Sequence, residues 1–140
     1  MPLAGLATAY ARLGVRAAAG EEGPAAVVEA VRRHPFMLSG TGQLDTLLVE
    51  ATGGRILAKV GAEAGYGAVD LDSGTGVALK VIDGAPRARG AALLAVLRAL
   101  EWLDDAQWEA VLPAATVDIR GGGLPVGAVH PAEVTLSRPE

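Results

Sequence analysis

Cysteine is absent from the 140 residues, lysine occurs only at Lys59 and Lys80 against ten arginines, and aromatic residues make up 4%. Each shortage excludes something. Without cysteine there is no disulfide framework, no thiol nucleophile and no Cys-ligated metal. Few aromatics means no stacking platform for single-stranded bases. Basic residues are in the minority, 12 against 16 acids, and the net charge of −4 with dispersed arginines lacks the field that phosphate backbones demand. No charge-free apolar run of about 18 residues occurs, so no segment is expected to cross a membrane. The opening Met1-Pro2-Leu3-Ala4-Gly5-Leu6 is a short apolar stretch with no basic residue before it, so it is not expected to act as a secretory signal. Cytoplasm is therefore the expected compartment, with neither nucleic acid nor membrane as partner.

What remains is apolar and small. A hydrophobic content of 51% and mean hydropathy of +0.34 suffice for a real core, so residues 1–140 read as one domain or a large piece of one. Leu3, Leu6, Tyr10 and Leu13 fall at helical spacing, and the pattern predicts a helix over 2–18. A second helix is expected from Pro24 to Arg33, ended by His34-Pro35. Ser39-Gly40-Thr41-Gly42 reads as a turn, and 44–51 as a short helix. Turn signals then frame strands near 55–61, 65–71 and 76–82, whose short connections force antiparallel pairing. Residues 85–103 carry the longest predicted helix, and 104–112 a further one halted by Pro113. Residues 114–140 are expected to run extended over the body. The order points to an α+β fold, an antiparallel sheet with packed helices. Three strands cover little of the apolar helix surface, so a further sheet edge or helical domain is expected to complete it.

Few residues carry chemistry. Ser39, Ser73 and Ser137 are the only serines, and none begins Ser-x-x-Lys or sits in a Gly-x-Ser-x-Gly elbow. His34 and His130 both precede proline and read as turn residues, so no metal site is expected. Asp70, Asp72 and Asp83 read as solvated turn acids, since their spacing does not converge oxygens on a cation. Lys59-Val60-Gly61 differs. On a strand, residues 59 and 61 share a face, and the glycine leaves room for a carbonyl beside the ammonium, which can meet developing negative charge. The competing reading is a solvent-facing strand lysine that guards an edge.

Three ordered motifs bring in a resemblance: His34-Pro-Phe-Met-Leu-Ser-Gly-Thr-Gly-Gln-Leu-Asp-Thr46, Ala58-Lys-Val-Gly-Ala-Glu63 and Gly76-Val-Ala-Leu-Lys-Val-Ile-Asp-Gly-Ala-Pro-Arg-Ala88. Together they resemble the C-terminal half of the bacterial asparaginase II family, the thermolabile rhizobial-type L-asparaginases. The resemblance implies a fold similar to serine β-lactamases and glutaminases, and hydrolysis of L-asparagine to L-aspartate and ammonia through an acyl-enzyme. It implies that Lys59 is the catalytic lysine, analogous to a Lys-Thr-Gly box. Gly61 and Ala62 would shape the strand edge beside the substrate, Glu63 would orient that loop or the lysine, and Asp45 and Thr46 would line or support the pocket. Lys80, Asp83 and Arg87 would form a structural charge cluster.

Two departures stand out: the family usually has Arg where this chain has Gln43, and Gly where it has Ala64. The family's Ser-x-x-Lys serine and its cysteine-containing metal site belong to the N-terminal half, so no cofactor is expected in this chain. The expectation is a truncated or half-enzyme lacking its nucleophile, partnered by an N-terminal half or by a second copy. The alternative is a non-catalytic binding or assembly module of the same fold.

Overall fold

The computed structural model describes residues 2–137; Met1 and 138–140, the ends of the expected 1–140 unit, lie outside the described residues. Among the described residues are six α-helices: α1 (Leu3–Ala18), α2 (Glu22–Arg33), α3 (Phe36–Ser39), α4 (Leu44–Ala51), α5 (Arg89–Ala99) and α6 (Asp105–Ala115). Three strands, β1 (Ile56–Val60), β2 (Gly65–Asp70) and β3 (Thr75–Lys80), form an antiparallel sheet in the order β1-β2-β3. The chain is α+β, as its sequence order implies.

Alternation along the strands divides the core in two. Ile56, Ala58, Tyr66 and Ala68 face Leu44 and Leu48 of α4, Leu93, Leu94 and Leu97 of α5, and Val111 of α6. Leu57 and Val69 face the other way, onto Val28 of α2, with Tyr10 and Leu13 of α1 packed beside them. Helix α4 closes the β1 edge and serves both layers, since its Val49 joins the second cluster. Glycines let α1 lie almost on the sheet. A Cβ at Gly76 would stand 2.1 Å from the Ala7 carbonyl oxygen, and one at Gly67 would stand 2.1 Å from the Tyr10 ring.

The second half departs from the expected pattern. The helix expected over 85–103 is confined to α5, and α1, with 16 residues against 11, is longer. Pro86 opens a separate 3-10 turn, Pro86–Ala88, ahead of it. At the other end Glu101 takes φ 59°, and the Trp102 N–H donates back to the Leu97 carbonyl at 2.9 Å, a Schellman closure without its usual glycine. Helix α6 does not stop at Pro113 but continues to Ala115. The missing proline N–H orphans only the carbonyl of Glu109, whose residue is exposed and open to water. Its start is firm: Asp104 accepts the Gln107 N–H at 2.8 Å and Gln107 accepts the Asp104 N–H at 3.1 Å.

The tail, expected to run extended as edge pairing or coil, pairs with itself. Two further strands, β4 (Val117–Gly121) and β5 (Leu124–Val129), pair with each other around Gly122 and Gly123, whose φ values of 58° and 84° suit a tight reversal.

Candidate functional site

Lys59 stands on β1 where the edge strand passes under α4, and it shares the strand face of Leu57, which points toward α1 and α2. Its stem starts on that face while its nitrogen turns back toward α4. Nζ lies 3.1 Å from Ser39 Oγ, 3.2 Å from Asp45 Oδ2 and 3.3 Å from the Val60 carbonyl oxygen. Three oxygen acceptors match the three N–H donors of an ammonium.

Asp45 is the centre of this cluster. It occupies the first turn of α4, where a carboxylate suits the helix dipole, and its residue is 1% exposed. Oδ2 accepts from Ser39 Oγ at 2.6 Å, from the Val60 N–H at 3.2 Å and from Lys59, while Oδ1 accepts from the Tyr66 hydroxyl. A buried charge is tolerable only when its lone pairs are filled in this way. Burial, then the hydrogen bond to the Asp45 carboxylate and its charge, push the Tyr66 phenol well above the ordinary tyrosine range. Tyr10 is raised too, by burial first and by Asp45 second. Both phenols stay protonated, and of the two it is Tyr66 that donates to the carboxylate.

The residues singled out in the sequence fall into two groups. Lys59 and Asp45 are brought into direct contact. Thr46 is buried one residue further along α4, where its hydroxyl donates to the Pro35 carbonyl at 3.2 Å and ties α4 to the start of α3. Gly61, Ala62 and Glu63 lie just past the end of β1 in an exposed turn that the Gly61 N–H closes onto the Gly65 carbonyl at 2.8 Å. The Glu63 carboxylate is turned toward Gly84, where an added Cβ would come within 2.6 Å of Oε2. The charge cluster around β3 is real in part: Asp83 and Arg87 pair at 2.8 Å, while the Lys80 ammonium donates to the Val81 carbonyl. Asp70, expected as a solvated turn acid, is instead buried at the end of β2, where it pairs with Arg55 at 2.8 Å and accepts the Ser73 N–H.

Three contributors were not legible as site residues. Ser39 reads as a turn residue in the sequence, yet it sits at the end of α3 between Lys59 and Asp45. Tyr66 lies opposite Val60 in the register, and Gly67 opposite Lys59. The signal for Ser39 was available, since it lies in the same motif as Asp45, six residues earlier. For Tyr66 and Gly67 only the pairing register supplies it.

The sequence profile of the L-asparaginase II family matches residues 1–131. The chain belongs to the L-asparaginase II family. No curated protein sequence matches it. Within this L-asparaginase II member, the departure at Ala64 has a structural counterpart: Glu63 and Ala64 both take left-handed φ, 54° and 53°, which glycine adopts without strain. The departure at Gln43 places an amide, with Arg87 and Arg89, around a small cavity of about 130 Å³ on the Tyr66 side of Asp45. Among the described residues no group of three or more His, Cys, Asp or Glu is placed to hold a metal ion. No helix of the described residues is long and apolar enough to cross a membrane.

Proposed function

We propose that this chain supplies the lysine-bearing side of a site that hydrolyses L-asparagine to L-aspartate and ammonia, on a serine β-lactamase-like scaffold. The observation that carries this reading is the Lys59 ammonium, fixed on β1 by Ser39 and Asp45 with its side chain still 42% exposed. Attack on an amide carbon pushes negative charge onto the carbonyl oxygen. A pre-oriented cation at a strand edge is suited to meet that charge, because its orientation is settled before the reaction begins. In this reading Lys59 touches the reacting amide. Asp45 holds it from behind, and Thr46 anchors the helix that carries Asp45. Gly61 and Ala62 leave the strand end open to substrate, and Glu63 shapes the turn through its contact over Gly84.

The sequence contains no Ser-x-x-Lys, so the attacking hydroxyl comes from a segment or partner outside these 140 residues, an N-terminal half or a second copy. A second reading, a binding or assembly module, rests on the exposed apolar pair Phe36 and Met37, 58% and 78% accessible, on the short helix that ends at Ser39.

Ammonia release from asparagine separates these. The purified chain alone is expected to show little or no turnover. Mixing it with an N-terminal segment of another family member that carries Ser-x-x-Lys is expected to produce turnover, lost in Lys59→Met. Turnover by the chain alone that Lys59→Ala abolishes would overturn the need for an outside hydroxyl. Turnover indifferent to Lys59→Met would overturn the role of the lysine, and no turnover in any mixture would favour the module.

A further inference from the structure

On the α1/α2 side of Lys59 the structure leaves a cleft of about 250 Å³, walled by Tyr10 and Leu13 of α1, Val27 and Val31 of α2, and Leu57 of β1. Among the described residues that line it, Lys59 alone is charged. The cleft keeps its shape because Gly67, opposite Lys59 in the register, lets the Tyr10 ring settle onto the sheet. Its chemistry does not suit a free amino acid. An α-ammonium would need an acid there, and the nearby Asp45 is buried behind Lys59 and already accepts four hydrogen bonds.

We propose that this cleft binds a small monocarboxylate with an apolar body, its hydrocarbon among the aliphatic side chains and its carboxylate on Lys59. Charge complementarity selects the anion, because Lys59 lays its stem along an otherwise apolar wall and holds its ammonium at the α4 end of it. The incoming oxygen replaces the Val60 carbonyl, whose contact at 3.3 Å is the longest of the three made by Nζ. The Tyr10 phenol, kept protonated by burial, supplies a second donor on the same wall. The site is small and its cation is shared with Asp45, so affinity is modest, with Kd on the order of 1 mM. The inference does not rest on asparagine hydrolysis. It concerns a ligand class other than the amino acid.

Two lysines make the test direct. The chain labelled with 13C at the lysine ε-carbon gives two side-chain signals, assigned with Lys80→Arg, and hexanoate is titrated at neutral pH against acetate, hexan-1-ol and L-asparagine. Hexanoate is expected to shift the Lys59 signal saturably and leave Lys80 still. Acetate is expected to bind about tenfold more weakly or worse, because it lacks the buried methylenes. Val27→Asp, at a half-exposed site on the cleft wall, is expected to weaken hexanoate by about tenfold through like-charge repulsion. Equal shifts from acetate would mean simple ion pairing, and equal shifts from hexanol a merely greasy surface. Parallel movement of Lys80, asparagine matching hexanoate, indifference to Val27→Asp, or no shift at all would each overturn the proposal. Ammonia release is not read here, so its failure and the failure of this proposal are told apart.

Discussion

Lys59 Nζ and Asp45 Oδ2 lie 3.2 Å apart, yet the two partners are unequal: the lysine side chain is 42% exposed and the aspartate 1%. The lysine keeps water as an alternative partner. The aspartate has only its four donors. Asp45→Asn removes the charge and turns an amide toward groups that all donate, so it is expected to cost about 2–4 kcal/mol. Lys59→Met leaves the carboxylate its three neutral donors and lets water reach the place of the half-exposed ammonium, so it is expected to cost less, about 1–2 kcal/mol. Urea unfolding of both variants checks this, and equal costs would mean that Asp45 is not the centre of the cluster.

Tyr66 makes stability fall at high pH. Its folded-state pKa is raised, by burial first and by Asp45 second, above its unfolded value of about 10. Below that value both states hold the proton and nothing is lost. Above it the unfolded chain gives up a proton that the folded chain keeps, so stability declines by about 1.4 kcal/mol per pH unit from this group. Tyr10, raised in the same direction, adds to the slope. Tyr66→Phe is expected to lose about 1 kcal/mol at neutral pH with its hydrogen bond, and to show a shallower decline above pH 10. An unchanged alkaline slope in urea titrations at several pH values would rule the mechanism out.

Gly76 carries the close approach of α1 to the sheet. A methyl there would meet backbone, 2.1 Å from the Ala7 carbonyl oxygen and 2.7 Å from the Ala11 nitrogen, and neither can step aside without moving the helix. At Gly14 the same methyl meets side chains rather than backbone, Val69 at 3.0 Å and Leu71 at 3.3 Å, an overlap of only a few tenths of an ångström. Gly76→Ala is expected to cost about 3 kcal/mol or more, and Gly14→Ala about 1 kcal/mol. Denaturant midpoints of the two variants test the order, and the reverse order would show that α1 is not held by its contact with β3.

These elements also show what the sequence makes legible. Helical spacing from Leu3 to Leu13 and turn glycines around three β-type runs are local signals, so α1, α4 and the sheet could be read directly. The end of α5 could not, because the chain reverses at Glu101, a residue type that does not announce a left-handed φ. Lys59 was conspicuous by its rarity and Asp45 by its motif. Their contact was hidden, since residues 14 apart meet only when α4 docks on the β1 edge. Ser39 was hidden for the same reason: a serine before glycine reads as a turn until α3 is seen to hold it against the lysine.

The turn beyond β1 tests whether backbone strain is stored next to Lys59. Glu63 and Ala64 take φ of 54° and 53° in succession, a conformation that costs a residue with a Cβ about 1–2 kcal/mol. Such outliers persist where surrounding contacts over-determine them, and here the Gly61–Gly65 closure and the Val81 N–H on the Ala64 carbonyl at 3.2 Å do so. Glu63 is exposed, so changing it alters the backbone preference with little loss of packing. Glu63→Gly relieves the strain but enlarges the unfolded ensemble, for a net gain of about 0.5 kcal/mol. Glu63→Val, β-branched and ill suited to positive φ, is expected to lose at least about 1 kcal/mol. The separation of the two melting curves is the measurement. If Glu63→Gly proves the less stable, the carboxylate over Gly84 outweighs the strain, and Glu63 holds the turn by its side chain.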